Sequence, residues 1–272
     1  MTRIGAKTTE RINPEQWFSS REEYLLYLRH LFAYEFARTL IGPSDSVLEV
    51  GSGEGYGAKM LSATASRVVG LDVDPVSVQA ATAKYDSDKL SFRHYDGHSI
   101  PFEESAFDFV VSFQVIEHVQ DVPFYLSEIR RVLRPKGTLL LTTPNRVYRL
   151  KPGQKPWNRF HLREYDAPEL AAVLVGSFPG AAVRGVRGTD EVQAIEKARV
   201  AWALKSGPAG ALRRNMPEPM RRLAGRILGL SGRKRRSGET PDFLTRYSTS
   251  DYSVTEKEVD QSLDLLAVCG KA

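Results

Sequence analysis

The sequence predicts an α/β fold: a doubly wound, mainly parallel sheet of seven strands, with helices ahead of it and a helical insert before the last strand. Three observations carry this. Short β-rich runs alternate with helical runs across residues 46–143. A glycine-rich turn follows the first of those runs. The run Phe107 to Phe113 is nearly all apolar, as expected of a strand covered on both faces.

Taken in order, Glu22 to Leu40 places Tyr24, Leu25, Leu28, Leu31, Phe32, Phe36 and Leu40 close to helical spacing, and Gly42-Pro43 ends that helix. Strands are expected at Ser46–Val50, Arg67–Leu71 (ending at Asp72), Leu90–Tyr95, Phe107–Phe113 and Thr138–Thr143. Between them, helices are expected from the glycine turn to about Ala63, over Val76–Tyr85 with Pro75 at its start, and from an Asp121 cap to about Leu133. Beyond Pro144, a helix spans Ala167 to Leu174 and a strand Ala182 to Arg187. Thr189 to Gly229 reads as inserted helix broken at Gly207-Pro208 and Pro217, and Ser231 to Thr240 as a basic loop. Ser262 to Cys269 then completes the sheet. The resulting division is a helical cap over 1–43, a sheet domain over 44–188 plus 255–272, and a helical insert with a basic loop over 189–254 as acceptor lid.

Composition narrows the class. With 42% hydrophobic and 26% charged residues in 272, a packed core is expected and global disorder is not. No stretch approaches the roughly 20 apolar residues of a membrane span, so no stable membrane insertion is expected. The first ten residues are polar and lack a signal-peptide segment. A single cysteine, Cys269, fits a reducing cytoplasm. The net charge of +5 is concentrated between Arg213 and Arg236, which suits nucleic acid, an anionic surface, an acidic substrate or simply a solvated helix face. No Asn-Pro-Pro-Tyr-like pocket for a flipped base appears, so nucleic acid is not the expected partner.

In a doubly wound sheet, ligands bind beyond the carboxyl ends of the strands. That rule brings Gly51–Gly57, Asp72, Asp96-Gly97 and Gln114–His118 to one crevice. Glycines there let backbone approach a ligand, and the next helix start offers unpaired N–H groups. Gly53-Glu54-Gly55-Tyr56-Gly57-Ala58 alone satisfies a dinucleotide pattern, and Asp72 suits a ribose in either case. Glu49 before the turn, which suits a cationic ligand, Asp96-Gly97, placed to accept from an adenine amino group, and the run Gln114 to Val119 after the fourth strand together argue against a nicotinamide dinucleotide.

Val47 to Gly55, with Asp72, Asp96, Phe113 to Val119 and the turn Leu133 to Leu139, resembles the small-molecule branch of the class I S-adenosylmethionine-dependent methyltransferases, which have a Rossmann-like fold. The resemblance implies S-adenosylmethionine as cofactor. It implies that Glu49, Gly51, Ser52 and Gly53 bound its methionine part and that Asp72 takes the ribose. Val73 then lies beside the adenine, Asp96 and Gly97 hold the adenine edge, and Gln114 offers backbone near the amino-acid end. Thr9-Glu10-Arg11, Thr143 to Arg146, Asn158 to Tyr165 and Val259 to Val268 are similar to bacterial sugar and polysaccharide O-methyltransferases of the mycobacterial methylglucose or methylmannose type; residues 190–250 depart from that pattern.

A hydroxyl acceptor needs a proton acceptor, for which histidine is suited. His118 is the first choice and His161 the second, with Glu117 orienting a histidine or binding a sugar hydroxyl. Glu10, Arg11, Tyr24 and Asn145 are the expected acceptor contacts, with Trp17 and Phe18 as further flat faces. A divalent metal is compatible with such chemistry, but no compact ligand spacing appears and no metal ligand is assigned. The acceptor is expected to be a saccharide or other small molecule, with a quinone, phenol or other lipid-like molecule as the alternative; a homodimer is compatible with the sequence. A cofactor-binding fold serving only as an interaction module is the non-enzymatic alternative.

Overall fold

The computed structural model describes residue 18 and residues 20–205 and 241–271. Among them, eight strands form one sheet in the order β3-β2-β1-β4-β5-β8-β6-β7. Strands β1 (Ser46–Val50), β2 (Arg67–Asp72), β3 (Leu90–His94), β4 (Phe107–Phe113) and β5 (Leu133–Pro144) run parallel. β8 (Asp264–Gly270) lies antiparallel between β5 and β6 (Ala182–Gly188), and β7 (Tyr252–Thr255) pairs with β6 at the edge. The order reverses between β1 and β4, so the crevice opens beyond their carboxyl ends.

The expected seven strands become eight because of β7. It has four residues, and polar neighbours hide its alternation, so the sequence reads there as the end of the insert. The last strand begins at Asp264 rather than Ser262. β5 begins at Leu133, which pairs with Phe107 before a register shift re-joins Phe109 to Thr138. Lys136, at φ +66°, sits in the excursion between those pairs.

β1 is buried along its whole length and divides its side chains between two faces. Leu48 and Val50 pack with Leu126 and Ile129 of α4 (Val122–Val132) and Leu170 of α6 (Ala167–Val175). Val47, on the other face, packs with Ala37 of α1 (Arg21–Leu40), Leu61 of α2 (Tyr56–Ser62) and Ala81 of α3 (Pro75–Tyr85). Each such aliphatic side chain, fully removed from water, contributes about 1.5–3 kcal/mol. Asp74 caps α3 through the Val76 amide, and Asp121 caps α4 through the Phe124 amide at 3.1 Å.

α1 starts at Ser20, whose hydroxyl accepts from the Glu23 amide at 3.2 Å. Its deepest stripe is Leu25, Leu28, Arg29, Ala33, Tyr34 and Ala37, while Leu40 is 44% exposed. The buried face is thus offset from the bulky stripe legible in the sequence, and it carries a charge. Against α1 lie α7 (Asp190–Lys205), β6 and β7, through Leu25, Val186, Val192 and Tyr252. α7 is the described part of the helical insert; residues 206–240, which hold the basic segment, lie outside the described residues, as do Glu10, Arg11 and Trp17.

Candidate active site

The turn after β1 is built on left-handed glycines: Gly51 at φ +83°, Gly53 at +51° and Gly55 at +82°. The Gly51 and Ser52 amides both donate to the Leu71 carbonyl at 2.8 Å. That ties the turn to the end of β2. A Cβ on Gly51 would lie 2.4 Å from Val115 Cγ2, so the segment after β4 is pressed directly onto the turn. No atom of the described residues lies within 4 Å of a Cβ placed on Gly53, so among them the turn borders open space there.

Asp72 is 5% exposed and organises the same turn. Its Oδ2 accepts from the Gly53 amide at 2.7 Å and its Oδ1 from the Asp74 amide at 2.8 Å. Val73, partly buried, packs on the core beside it. The third strand end carries Asp96, exposed, whose Oδ1 accepts from the His98 amide at 2.9 Å, and Gly97 at φ +79°. Gln114, beyond β4, is held at φ +58°, a costly conformation for a residue with a Cβ. Its amide donates to the Thr142 carbonyl at 2.9 Å, and its side chain donates to Asp264 Oδ2 at 3.1 Å.

Glu49 points to the α1 side of the sheet and is 1% exposed. Its Oε1 accepts from the Tyr34 hydroxyl at 2.5 Å, while Oε2 has no hydrogen-bond partner among the described residues. Burial pushes its carboxyl up to about 8, against the downward pull of the Tyr34 bond. Ser52 Oγ is likewise buried without a partner there. Tyr34 also packs edge-on with Tyr56 and Phe113, and a Cβ on Gly57 would meet its ring at 2.0 Å. From Tyr56 the rings continue through Tyr27 to Phe18 and Tyr24. Tyr24 itself donates to the Leu244 carbonyl at 3.3 Å. It stands in a wall of rings joined to the glycine turn.

The two histidines meet. Their rings lie 4.8 Å apart at 79°, although α4, β5, α5 (Arg146–Arg149) and a loop separate them in the chain. His118 closes a 3-10 turn, Ile116–His118, and its Nδ1 contacts the Phe160 carbonyl at 2.9 Å. His161 is 6% exposed, with Nδ1 2.7 Å from Glu164 Oε1. Glu117 is fully buried, and its Oε2 accepts from the Thr143 hydroxyl at 3.0 Å. The Glu117 carbonyl accepts from the Leu162 amide at 2.8 Å, which anchors the loop carrying His161. Arg149 Nε stands 3.3 Å from Glu164 Oε2 and completes the row behind His161.

A second buried ionic row lies under the crevice. Arg29 is 4% exposed, with Nε 3.0 Å from Asp264 Oδ2 and a terminal nitrogen 3.5 Å from Glu196 Oε2. Burial alone raises Glu196, but Arg199 and Arg29 bring it below the ordinary value. Burial dominates at Asp264, which stays raised despite Arg29. Asn145, expected to touch the acceptor, is instead fully buried. Its side chain donates to the carbonyls of Val259 at 3.0 Å and Ser262 at 2.9 Å and accepts from the Val147 amide at 3.1 Å, clamping β5 to the segment before β8. Sequence reasoning missed Tyr34, Arg149 and Arg29. Glu164, three residues after His161, was legible as a residue that fixes this loop.

A family model described as a methyltransferase domain matches residues 48–141. A probable S-adenosylmethionine-dependent methyltransferase of Mycolicibacterium smegmatis is 42% identical over 154 residues, 56% of this chain and 58% of that protein. A ubiquinone biosynthesis O-methyltransferase of Bartonella tribocorum is 26% identical over 151 residues, 52% of this chain and 61% of that one. The matches thus span about three fifths of the length of these curated relatives. The solved structure of a SAM-dependent methyltransferase from Thermotoga maritima shares the fold, with a TM-score of 0.56 at 14% identity over 93% of this chain and 94% of that one. Over residues 48–141 the chain matches the methyltransferase-domain family model and is similar to S-adenosylmethionine-dependent methyltransferases, whose fold it shares.

Proposed function

We propose that this chain transfers a methyl group from S-adenosylmethionine to a hydroxyl of a saccharide or other small-molecule acceptor. The observation that carries the reading is the direct packing of Val115 on Gly51, which sets the segment bearing Glu117 and His118 against the glycine turn. The buried atoms Glu49 Oε2 and Ser52 Oγ, without partners among the described residues, and the open space beside Gly53 fit the charged amino-acid end of the cofactor. When bound, the cofactor supplies a methyl carbon already activated by its sulfonium. The chain's own work is then binding, alignment and proton handling. Asp72 faces the ribose hydroxyls from the end of β2, Val73 supports the adenine, Asp96 and Gly97 bound its edge, and the Gln114 backbone lies near the amino-acid end.

His118 is the residue through which the acceptor proton leaves. With Nδ1 as donor to the Phe160 carbonyl, its Nε2 carries the lone pair. Glu164 holds His161 in the same tautomer. Glu117 orients the pair. α7 lies on the acceptor side in this reading; residues 206–240 of the expected acceptor lid, and Glu10 and Arg11, lie outside the described residues. No helix among the described residues is long and apolar enough to cross a membrane. The single cysteine, Cys269, is buried and cannot form an internal disulfide, which fits a cytoplasmic setting. A second reading, a phenolic or quinone-like acceptor, draws on the ring wall of Phe18, Tyr24 and Tyr27 and on the Bartonella relative.

Incubation with methyl-labelled cofactor and a panel of sugars, phenols and RNA tests the acceptor. Label is expected on a sugar or phenol hydroxyl, whereas label on RNA alone contradicts the reading. His118→Ala is expected to lower turnover by about 100-fold or more with cofactor affinity retained. Near-normal turnover removes His118 from this role.

A further inference from the structure

We infer that Asp264 and Arg29 position the cofactor at second hand: through the Gln114 side chain they hold residue 114 in the left-handed conformation that sets its backbone at the amino-acid end of the crevice. Gln114 is the pivot of this end of the site. It stands between the end of β4 and the 3-10 turn Ile116–His118, at φ +58°. A residue with a Cβ is disfavoured there by about 5–30-fold in population. The next residue, Val115, is pressed onto Gly51. A return of residue 114 to an ordinary φ would therefore swing the segment bearing Val115 and Glu117 off the glycine turn.

Hydrogen bonds to β5 and β8 oppose that return. The Gln114 amide donates to the Thr142 carbonyl at 2.9 Å. Its side-chain nitrogen donates to Thr142 Oγ1 at 3.3 Å and, more closely, to Asp264 Oδ2 at 3.1 Å. Asp264 is itself immobilised from two sides. It is buried at the first position of β8, in register with Pro144 of β5. The buried Arg29 of α1 places Nε 3.0 Å from the same Oδ2. A buried acceptor fixed by a strand and a cation leaves the glutamine amide one place to dock, and the docked amide restrains its own backbone. Gly51, Gly53 and Gly55 reach left-handed backbone by omitting the Cβ. At position 114 the chain keeps a Cβ and adds an anchor instead. The anchor restricts the residue to one conformation, which a glycine there would not do. Arg29 and Asp264 are thus positioning residues that act through Gln114. The inference rests on the cofactor reading above, in which the Gln114 backbone borders the amino-acid end.

The experiment is calorimetric titration of the full-length chain with S-adenosylhomocysteine, with urea unfolding of the same samples. Gln114→Ala keeps the Cβ and loses the anchor, and is expected to weaken binding about 10-fold. Gln114→Gly loses the anchor and the steric penalty together, and is expected to bind within about 3-fold of the parent. A purely structural role for the side chain gives the opposite order, because glycine removes the same contacts and adds chain entropy. Asp264→Ala is expected to weaken binding several-fold in the parent and to change nothing in Gln114→Gly, while lowering stability in both. If Asp264→Ala does not fold, the two Gln114 variants decide alone. Binding by Gln114→Gly that is weaker than that of Gln114→Ala overturns the inference, as does a loss caused by Asp264→Ala in the Gln114→Gly background. Parent-like binding by Gln114→Ala overturns the inference and leaves the cofactor reading standing. A parent chain that binds no S-adenosylhomocysteine overturns both.

Discussion

Arg29→Met is expected to destabilise the fold by about 3–5 kcal/mol at pH 7, because it leaves two buried carboxylates short of their shared cation. Arg29 is 4% exposed and lies 3.0 Å from Asp264 and 3.5 Å from Glu196. Methionine matches its stem but not its charge. Glu196 keeps Arg199 at 2.8 Å, so the greater loss falls on Asp264, whose carboxyl burial already raises. Adding Asp264→Asn to Arg29→Met should therefore recover part of the loss, and the two changes should be strongly non-additive. Urea unfolding at pH 7 reads both effects. A single-variant loss below about 1 kcal/mol contradicts the assignment of this row as structurally essential.

Glu49→Gln should change how stability depends on pH. The folded carboxyl sits at about 8, against an ordinary value of 4.5, because it is buried. A raised acid binds its proton more tightly folded than unfolded, so its contribution is fully present below pH 4.5 and disappears as pH rises through about 8. The slope within that window approaches about 1.4 kcal/mol per pH unit. Glutamine cannot ionise, so the variant should gain on the parent by a few kcal/mol between about pH 5 and pH 8. Its amide oxygen can still accept from Tyr34. Cofactor binding should move the other way. A cationic ligand favours the ionised carboxylate, so the parent should bind S-adenosylmethionine more tightly as pH rises toward 8, with release of a proton. The variant should bind weakly at every pH and release none. Parallel stability profiles for the two proteins contradict the buried-acid assignment.

Much of the fold was legible because burial on both faces leaves a simple mark. Val47, Leu48 and Val50, then Val68, Val69 and Leu71, then Phe107, Val110 and Val111 are apolar where the sheet is covered, with Glu49 the buried exception. The glycine turn was legible because left-handed backbone and close approach both demand glycine. β7 was not, since four edge residues cannot show an alternation against polar neighbours. Arg29 was hidden by its position beside Leu28, on a helix whose bulky stripe drew attention to the neighbouring face. Tyr34 looked like one aromatic among many, and only the sheet shows that its hydroxyl reaches Glu49. The histidine pair was named residue by residue, but its meeting was invisible. Spacing along the chain says nothing about a loop folded back onto a 3-10 turn by the Leu162 and Glu117 backbones. Asn145 misled because a polar residue at a strand end has two uses, contact with a ligand or clamping of backbone, and the sequence does not distinguish them.

Isothermal calorimetry on the full chain with S-adenosylhomocysteine and, separately, with NAD tests the central claim most directly. The strand-end crevice should take up one S-adenosylhomocysteine per chain in the micromolar range and show no heat with NAD. Tight NAD binding, with no response to either S-adenosylhomocysteine or S-adenosylmethionine, would contradict it.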